Sequence, residues 1–169
     1  MSAESSMPSG RTHDRLTWIG MPLVGFTAGA LSRDWAWGVV VSSSFGIGGF
    51  LLSPDLDTLS LPYYRWGWLR GIWLPYQKAF SHRSFWTHGP VVGTVIRLLY
   101  LSLWLGLGLG FVAGVASFTG QLPLLQEWLR RWQGIDWRWG VAIALGLELS
   151  ALLHLTSDFV VSRWRRWQR

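Results

Sequence analysis

The chain has 169 residues, of which half are apolar and only 14% are charged, with 14 Trp and a net charge of +6. Soluble domains carry about 25% charged residues and Trp collects at membrane–water interfaces, so we predict an all-α membrane protein whose basic residues meet anionic lipid rather than nucleic acid. The absence of cysteine excludes disulfides, thiolate zinc sites and cysteine-bound iron–sulfur clusters. The length suits a single domain, 1–169.

The N-terminal residues are polar and small, without the pattern of a signal peptide, and we expect residues 1–9 to be disordered. Four apolar blocks follow, at residues 16–31, 36–53, 90–118 and 139–161. Because a spanning helix needs about 20 residues, the second and third qualify, the fourth qualifies if its polar residues face inward, and the first is marginal. We therefore predict a polytopic helical bundle with about four spans. A soluble helical core is the alternative, but the uncharged stretch 98–118 is hard to bury in so small a domain.

The segments between these blocks mix aromatic and basic residues. Residues 61–80 combine Trp and Tyr with Arg and Lys, residues 121–139 repeat this more weakly at helical spacing, and residues 162–169 form a basic, aromatic tail. This composition is typical of interfacial helices in the headgroup layer, so membrane lipids are the expected partners.

Charge predicts the orientation of the chain. With four spans, the N-terminal tail, residues 54–89 and the C-terminal tail share one side and carry ten Lys and Arg, against four on the other side. The positive-inside rule then places both termini in the cytoplasm, in the cytoplasmic membrane.

All the histidines and several aspartates fall on that same side. One His-Asp pair precedes the first block, an Asp-x-Asp follows the second, two histidines precede the third, and a His-x3-Asp lies late in the fourth. The predicted metal ligands are His13, Asp55, Asp57, His82, His88, His154 and Asp158. Imidazole and carboxylate without thiolate suit zinc, manganese or iron, and seven candidates suggest more than one ion, since one zinc takes about four ligands.

Each part also has a plainer interpretation. Asp-x-Asp after a proline is commonly a turn or helix cap, and His154 with Asp158, which share a helix face, could be a buried structural pair. Arg83 is the predicted catalytic residue, since it could grip a phosphate, but it could equally be a surface charge. Asp14 is either a ligand or a group that orients its neighbouring histidine. We expect Glu148 to pair within the bundle, for example with Arg97, rather than to bind metal.

The order His-Asp, SPDLD, HR-x4-H-G and H-x3-D, over residues 10–158, resembles the uncharacterised metal-binding membrane proteins. It is similar, more distantly, to the membrane-bound metal-dependent hydrolases, whose Asp-x-Asp, His-Arg and Thr-His pairs match here, although the gap before Thr87-His88 is longer. This resemblance implies a metal site and hydrolysis, without naming a substrate.

Three functions follow from these patterns. The first is a metal-dependent hydrolase of phosphoester or lipid-like substrates at the cytoplasmic face, with a small substrate of unknown identity. The second is a metal-binding membrane protein without catalysis, in which metal ties helix ends together. The third is a metal transporter, which the sequence favours least because few candidate ligands approach the middle of a span.

Overall fold

A computed structural model describes residues 10–134 and 136–168. These residues form helices and turns with no strand among them, so the all-α prediction is confirmed for this part of the chain. The predicted disorder of residues 1–9 lies outside the described residues.

Four long helices and several short ones make up the fold. The long helices are α1 (Gly10–Ser32), α2 (Trp35–Phe50), α6 (Val92–Phe118) and α8 (Trp137–Trp167). The short helices are α3 (Leu61–Arg65), α4 (Leu74–Ala79), α5 (Phe85–His88) and α7 (Leu122–Arg130), with 3-10 helices at Pro54–Asp57 and Gly67–Trp73.

Three helices are long and apolar enough to cross a membrane, judged by length and composition. They are α2 with the turn after it (Trp35–Asp57), α6 (Val92–Phe118) and most of α8 (Trp137–Trp164). These correspond to the second, third and fourth predicted blocks. Although α1 has 23 residues, it is not among them, and the count of four spans stays a prediction.

The helices α1, α2 and α8 form a glycine-packed bundle, with α2 lying against α1 on one side and α8 on the other. A Cβ placed on Gly38 of α2 would stand 2.6 Å from the carbonyl oxygen of Gly25 in α1, so the two backbones leave no room for a side chain. Gly146 of α8 meets the backbone of α2 in the same way at Val41. Small residues that let helix backbones approach this closely are typical of helix packing in membranes.

Helix α6 stands apart from this bundle. It packs mainly against α5, touches α8 only slightly, and its most apolar stretch buries none of its residues. Large side chains such as Leu103, Leu107 and Phe111 are exposed. An apolar surface of this extent is unusual on a soluble monomer and marks contact with lipid or another protein.

An aromatic cluster lies beneath the Asp-x-Asp turn. Leu56 is fully buried with Tyr63, Trp73 and Tyr76 around it. Residues 61–80 were predicted to lie in the headgroup layer, but part of this segment belongs to the core, because its rings fill the space between this turn and α6. Trp68, in the same segment, is 89% exposed. Burial raises the pKa of Tyr76 to about 12, so this phenol is neutral at physiological pH.

Candidate metal centre

All seven predicted ligands meet at one end of the molecule. His13 comes from the first turn of α1, the two aspartates from the 3-10 turn after α2, and one histidine each from the α4–α5 loop and the end of α5. Helix α8 contributes His154 and Asp158, which lie one turn apart on one face. The structure thus brings together side chains from across the chain, and their coordination of a metal remains a proposal.

The turn that carries Asp55 and Asp57 is held by its own sequence. Ser53 caps it, with its hydroxyl accepting from the backbone N–H of Asp55, and Ser60 donates to the Asp55 carbonyl oxygen at 2.8 Å. Gln77 of α4 donates to two further carbonyl oxygens of the turn. The Asp-x-Asp is therefore a capped turn, as its plainer interpretation predicted, and it also places both carboxylates in the centre.

One group of donors surrounds Asp57. Nδ1 of His82 lies 2.9 Å from Asp57 Oδ1, and Nδ1 of His88 lies 3.5 Å from Asp57 Oδ2. Nε2 of His88 also lies 3.8 Å from Asp55 Oδ1. The Asp57 carboxylate is fully buried, whereas the side chain of His82 is 31% exposed, so this group opens toward solvent at His82.

A second group lies on the α1–α8 side. Nε2 of His154 is 3.3 Å from Asp55 Oδ1 and 3.6 Å from Asp158 Oδ2. Nε2 of His13 is 3.1 Å from Asp158 Oδ1, and the rings of His13 and His154 stack with centroids 4.1 Å apart. Asp55 therefore belongs to both groups.

The donors fit a divalent cation. Two ligands of a tetrahedral zinc, each bound at about 2.0–2.1 Å, stand roughly 3.4 Å apart, which matches the separations between these nitrogen and oxygen atoms. Four buried atoms of the centre have no hydrogen-bond partner among the described residues: Asp57 Oδ2, His88 Nε2, His154 Nε2 and Asp158 Oδ1. Such buried polar atoms are costly, at about 1–3 kcal/mol each, and a bound cation would satisfy them.

Two hydroxyl groups, which the sequence patterns did not single out as functional, orient the histidines. Ser157 Oγ lies 3.1 Å from His13 Nδ1, and Thr87 Oγ1 lies 2.9 Å from His88 Nδ1. Thr87 belongs to the Thr-His pair noted in the sequence, which was the available signal. No sequence pattern pointed to Ser157, because its contact with His13 joins opposite ends of the chain.

Arg83 lies at the edge of the centre. Its NH2 atom is 3.9 Å from Asp158 Oδ2, and its side chain is 45% exposed. Its backbone has φ of 61°, in the left-handed region, which is uncommon for a residue with a Cβ. The structure therefore places this partly exposed guanidinium beside one candidate ligand, Asp158, at the edge of the centre.

Asp14 is not a member of the centre. Its carboxylate receives two hydrogen bonds from the guanidinium of Arg65, one of them at 2.9 Å, and Arg65 also donates to the Phe50 carbonyl oxygen. This pairing ties the start of α1 to α2 and α3, and thereby fixes the turn that carries His13. Asp14 is therefore an anchor of the helix rather than the metal ligand that the sequence allowed.

Glu148 is also outside the centre, as predicted, and its charge acts on Arg97, although its hydrogen bond is to a different group. It accepts from the backbone N–H of Val91 at 2.8 Å, while buried Arg97 donates to the Thr87 carbonyl oxygen at 2.8 Å. Both charged side chains therefore hold the α5–α6 segment that carries His88.

Four imidazoles and three carboxylates thus meet at one end of a helical bundle, and several of their buried atoms have no hydrogen-bond partner among the described residues. This arrangement is typical of a metal-binding protein. The chain belongs to the family described as "Uncharacterized metal-binding protein (DUF2227)", whose model matches residues 8–168. The resemblance to a metal-binding family is therefore confirmed. The chain is also similar to a protein of Aquifex aeolicus (strain VF5) described as "Uncharacterized protein", at 35% identity over 132 residues, covering 72% of this chain and 89% of that protein. No solved structure matches the chain.

Proposed function

We propose that this protein is a membrane-embedded, metal-dependent hydrolase that acts on phosphoester or lipid-like substrates at the cytoplasmic face of the membrane. The observation that carries the proposal is the open side of the centre, where the side chain of His82 is 31% exposed and that of Arg83, which contacts Asp158, is 45% exposed. Structural metal sites are closed, whereas catalytic ones keep an accessible coordination position.

Arg83 suits the recognition of a phosphate group. Its planar guanidinium presents paired N–H donors that match two phosphate oxygens. A residue with a Cβ in the left-handed region costs about 1–3 kcal/mol, and such strain clusters at functional sites. The backbone conformation of Arg83 therefore supports a role at the site.

Hydrolysis requires water to replace the alcohol of the ester. The oxygen of water bonds to phosphorus, the bond from phosphorus to the ester oxygen breaks, and a proton from the water passes to the departing oxygen. A divalent ion supplies activation of water and polarisation of the phosphoryl oxygens when it is bound. Arg83 would hold the phosphoryl oxygens and offset the negative charge that develops on them.

The location of the centre in the membrane follows from the same proposal. The exposed apolar length of α6 and the bias of ten basic residues to four support a bundle with both termini in the cytoplasm. Reporter fusions at each terminus should both give the cytoplasmic signal. Signals from opposite sides of the membrane would contradict this orientation.

The test of catalysis is Arg83→Gln, compared with Arg70→Gln as a matched control on the surface helix beyond the centre. With a chromogenic phosphodiester and a phospholipid in mixed micelles, we expect Arg83→Gln to lower hydrolysis about 100-fold, as is typical when a donor to transition-state charge is lost. Both variants should keep the metal content of the wild type. Loss of metal from Arg83→Gln would show that Arg83 is structural.

A non-catalytic structural metal site is the second candidate. It is favoured by the burial of Asp57 and His154 and by the number of chain segments that the centre joins. In that case, removal of metal by a chelator would lower the melting temperature, and no phosphoester would be hydrolysed by the loaded protein. Transport is disfavoured, since five of the seven donors lie near the ends of α1, α2 and α6, and only His154 and Asp158 lie well inside a long helix.

A further inference from the structure

We propose that the centre holds two divalent metal ions that share the carboxylate of Asp55. This inference deepens the proposed function and rests on it for its chemical consequence, while its test depends on metal binding alone. Seven residues exceed the four that one tetrahedral ion takes.

The donors divide into two groups with one common member. In each group, the ligand atoms lie within 4.8 Å of one another. The first group is Asp55, Asp57, His82 and His88, and the second is His13, Asp55 and His154. Asp158 adjoins the second group through both of its oxygens. Each ion would thus have about four protein donors.

The hydrogen bonds of the second group leave one nitrogen free to bind metal. Ser157 donates its proton to the His154 carbonyl oxygen at 2.8 Å, so its oxygen accepts from Nδ1 of His13. A neutral His13 then has a bare lone pair on Nε2, which faces an oxygen of Asp158. Two acceptors that face each other in a buried place repel unless a proton or a metal cation lies between them.

The first group repeats this arrangement. Thr87 Oγ1 lies 3.3 Å from the Ser84 carbonyl oxygen and 2.9 Å from Nδ1 of His88, so that when it donates to the carbonyl it accepts from this nitrogen. Nε2 of His88 is then a bare lone pair directed toward Asp55. Metal-bound histidines commonly have their second nitrogen fixed by such a hydrogen bond.

The unpaired buried atoms also divide between the groups. Asp57 Oδ2 and His88 Nε2 belong to the first group, and His154 Nε2 and Asp158 Oδ1 to the second. Each of these four side chains is at least 86% buried. A single ion in either group would leave the other pair unsatisfied, at about 1–3 kcal/mol for each atom.

Charge leads to the same assignment. The negative charge of the three carboxylates exceeds the positive charge of one divalent ion, but not that of two. With two ions the centre becomes attractive to an anion, which the proposed phosphoester substrate requires. Pairs of ions about 3.5–4 Å apart are suited to the displacement of a phosphoester oxygen.

The test is metal content measured by mass spectrometry on the purified full chain, saturated with manganese or zinc and freed of unbound ions. We expect two ions per chain in the wild type and one each in His82→Ala and in His154→Ala, since each removes a donor from one group. Asp55→Asn should weaken both positions. Thermal unfolding of each variant shows whether lost metal reflects a lost fold.

A second measurement on the wild type does not depend on any variant. Two manganese ions that share a carboxylate give an exchange-coupled electron paramagnetic resonance spectrum, whereas one ion gives an isolated six-line signal. One ion per chain at saturation, with the isolated signal, would overturn the proposal. Loss of all metal from both folded histidine variants would also overturn it, because it would mean one mixed site.

These outcomes separate this inference from the proposed hydrolase activity. A protein with two coupled ions that hydrolyses no phosphoester would retain the two-ion centre and lose the proposed function. Hydrolysis by a protein that binds a single ion would do the reverse.

Discussion

The helices α2 and α6 are both apolar and rich in glycine, yet they use glycine in opposite ways. In α2, a Cβ on Gly38 would meet the backbone of α1, and one on Gly48 would stand 2.8 Å from the Ser150 side chain of α8. In α6, the four residues Gly106, Gly108, Gly110 and Gly114 would meet nothing within 4 Å among the described residues. Glycine in an apolar helix therefore does not by itself identify an internal packing face, and the neighbouring helix decides its role.

The largest expected effect comes from filling the space at Gly38. Gly38→Val should destabilise the protein by about 3 kcal/mol, because the contact is with backbone and cannot be relieved by a side-chain rotation. Gly108→Val in α6 is the matched control and should change stability by less than about 0.5 kcal/mol. Thermal unfolding in the same detergent compares them. Equal losses in the two variants would mean that α6 is packed as tightly as α2.

An intermediate effect is expected at the two hydroxyl groups that orient the histidines. One is in α8, which packs against α2, and the other is in α5, which packs against α6. Ser157→Ala should weaken the position that includes His13, and Thr87→Val the position that includes His88, each by about 10-fold in metal affinity. Thr87→Ser should restore affinity, because it keeps the oxygen.

Metal titrations of these variants distinguish the two halves of the centre. If Ser157→Ala and Thr87→Val weakened the same single binding step, the bundle side and the α5–α6 side would not be separate positions.

The smallest effect is expected at the anchor between Asp14 and Arg65. Both side chains are partly exposed, so Asp14→Asn should cost less than about 1 kcal/mol of stability. It should nevertheless raise the proteolytic sensitivity of the first turn of α1. Unchanged cleavage near His13 would show that packing of α1, rather than this ion pair, fixes the turn.

Much of this architecture could be predicted from the sequence. The apolar blocks predicted the long helices to within six residues at each end, since a helix that is apolar over several turns has few alternatives. The placement of the histidines followed from alternating helix direction, which required no knowledge of side-chain packing. The Asp55–Asp57 turn was similarly marked by its preceding proline.

Other features depended on contacts between distant segments. Tyr76 lies in the core because α6 packs over it. The amino-acid composition of residues 61–80 would be the same if this ring lay in the headgroup layer, so composition could not predict its burial. The third apolar block begins at Pro90, but helix α6 begins after Val91, whose φ of 63° turns the chain. The pairing of Asp14 with Arg65 likewise joins elements that sequence spacing does not relate.

The hydrogen bond between Ser157 and His13 joins residues 144 positions apart, which has a consequence for biogenesis. The donors on residues 55–88 lie close together in the chain and can meet soon after they are synthesised. Those of α1 must wait for α8, which at about 5–20 residues per second takes roughly 7–30 s. The order of synthesis thus imposes an order of assembly, in which the half of the centre around Asp57 is available to metal first and the α1–α8 half closes last.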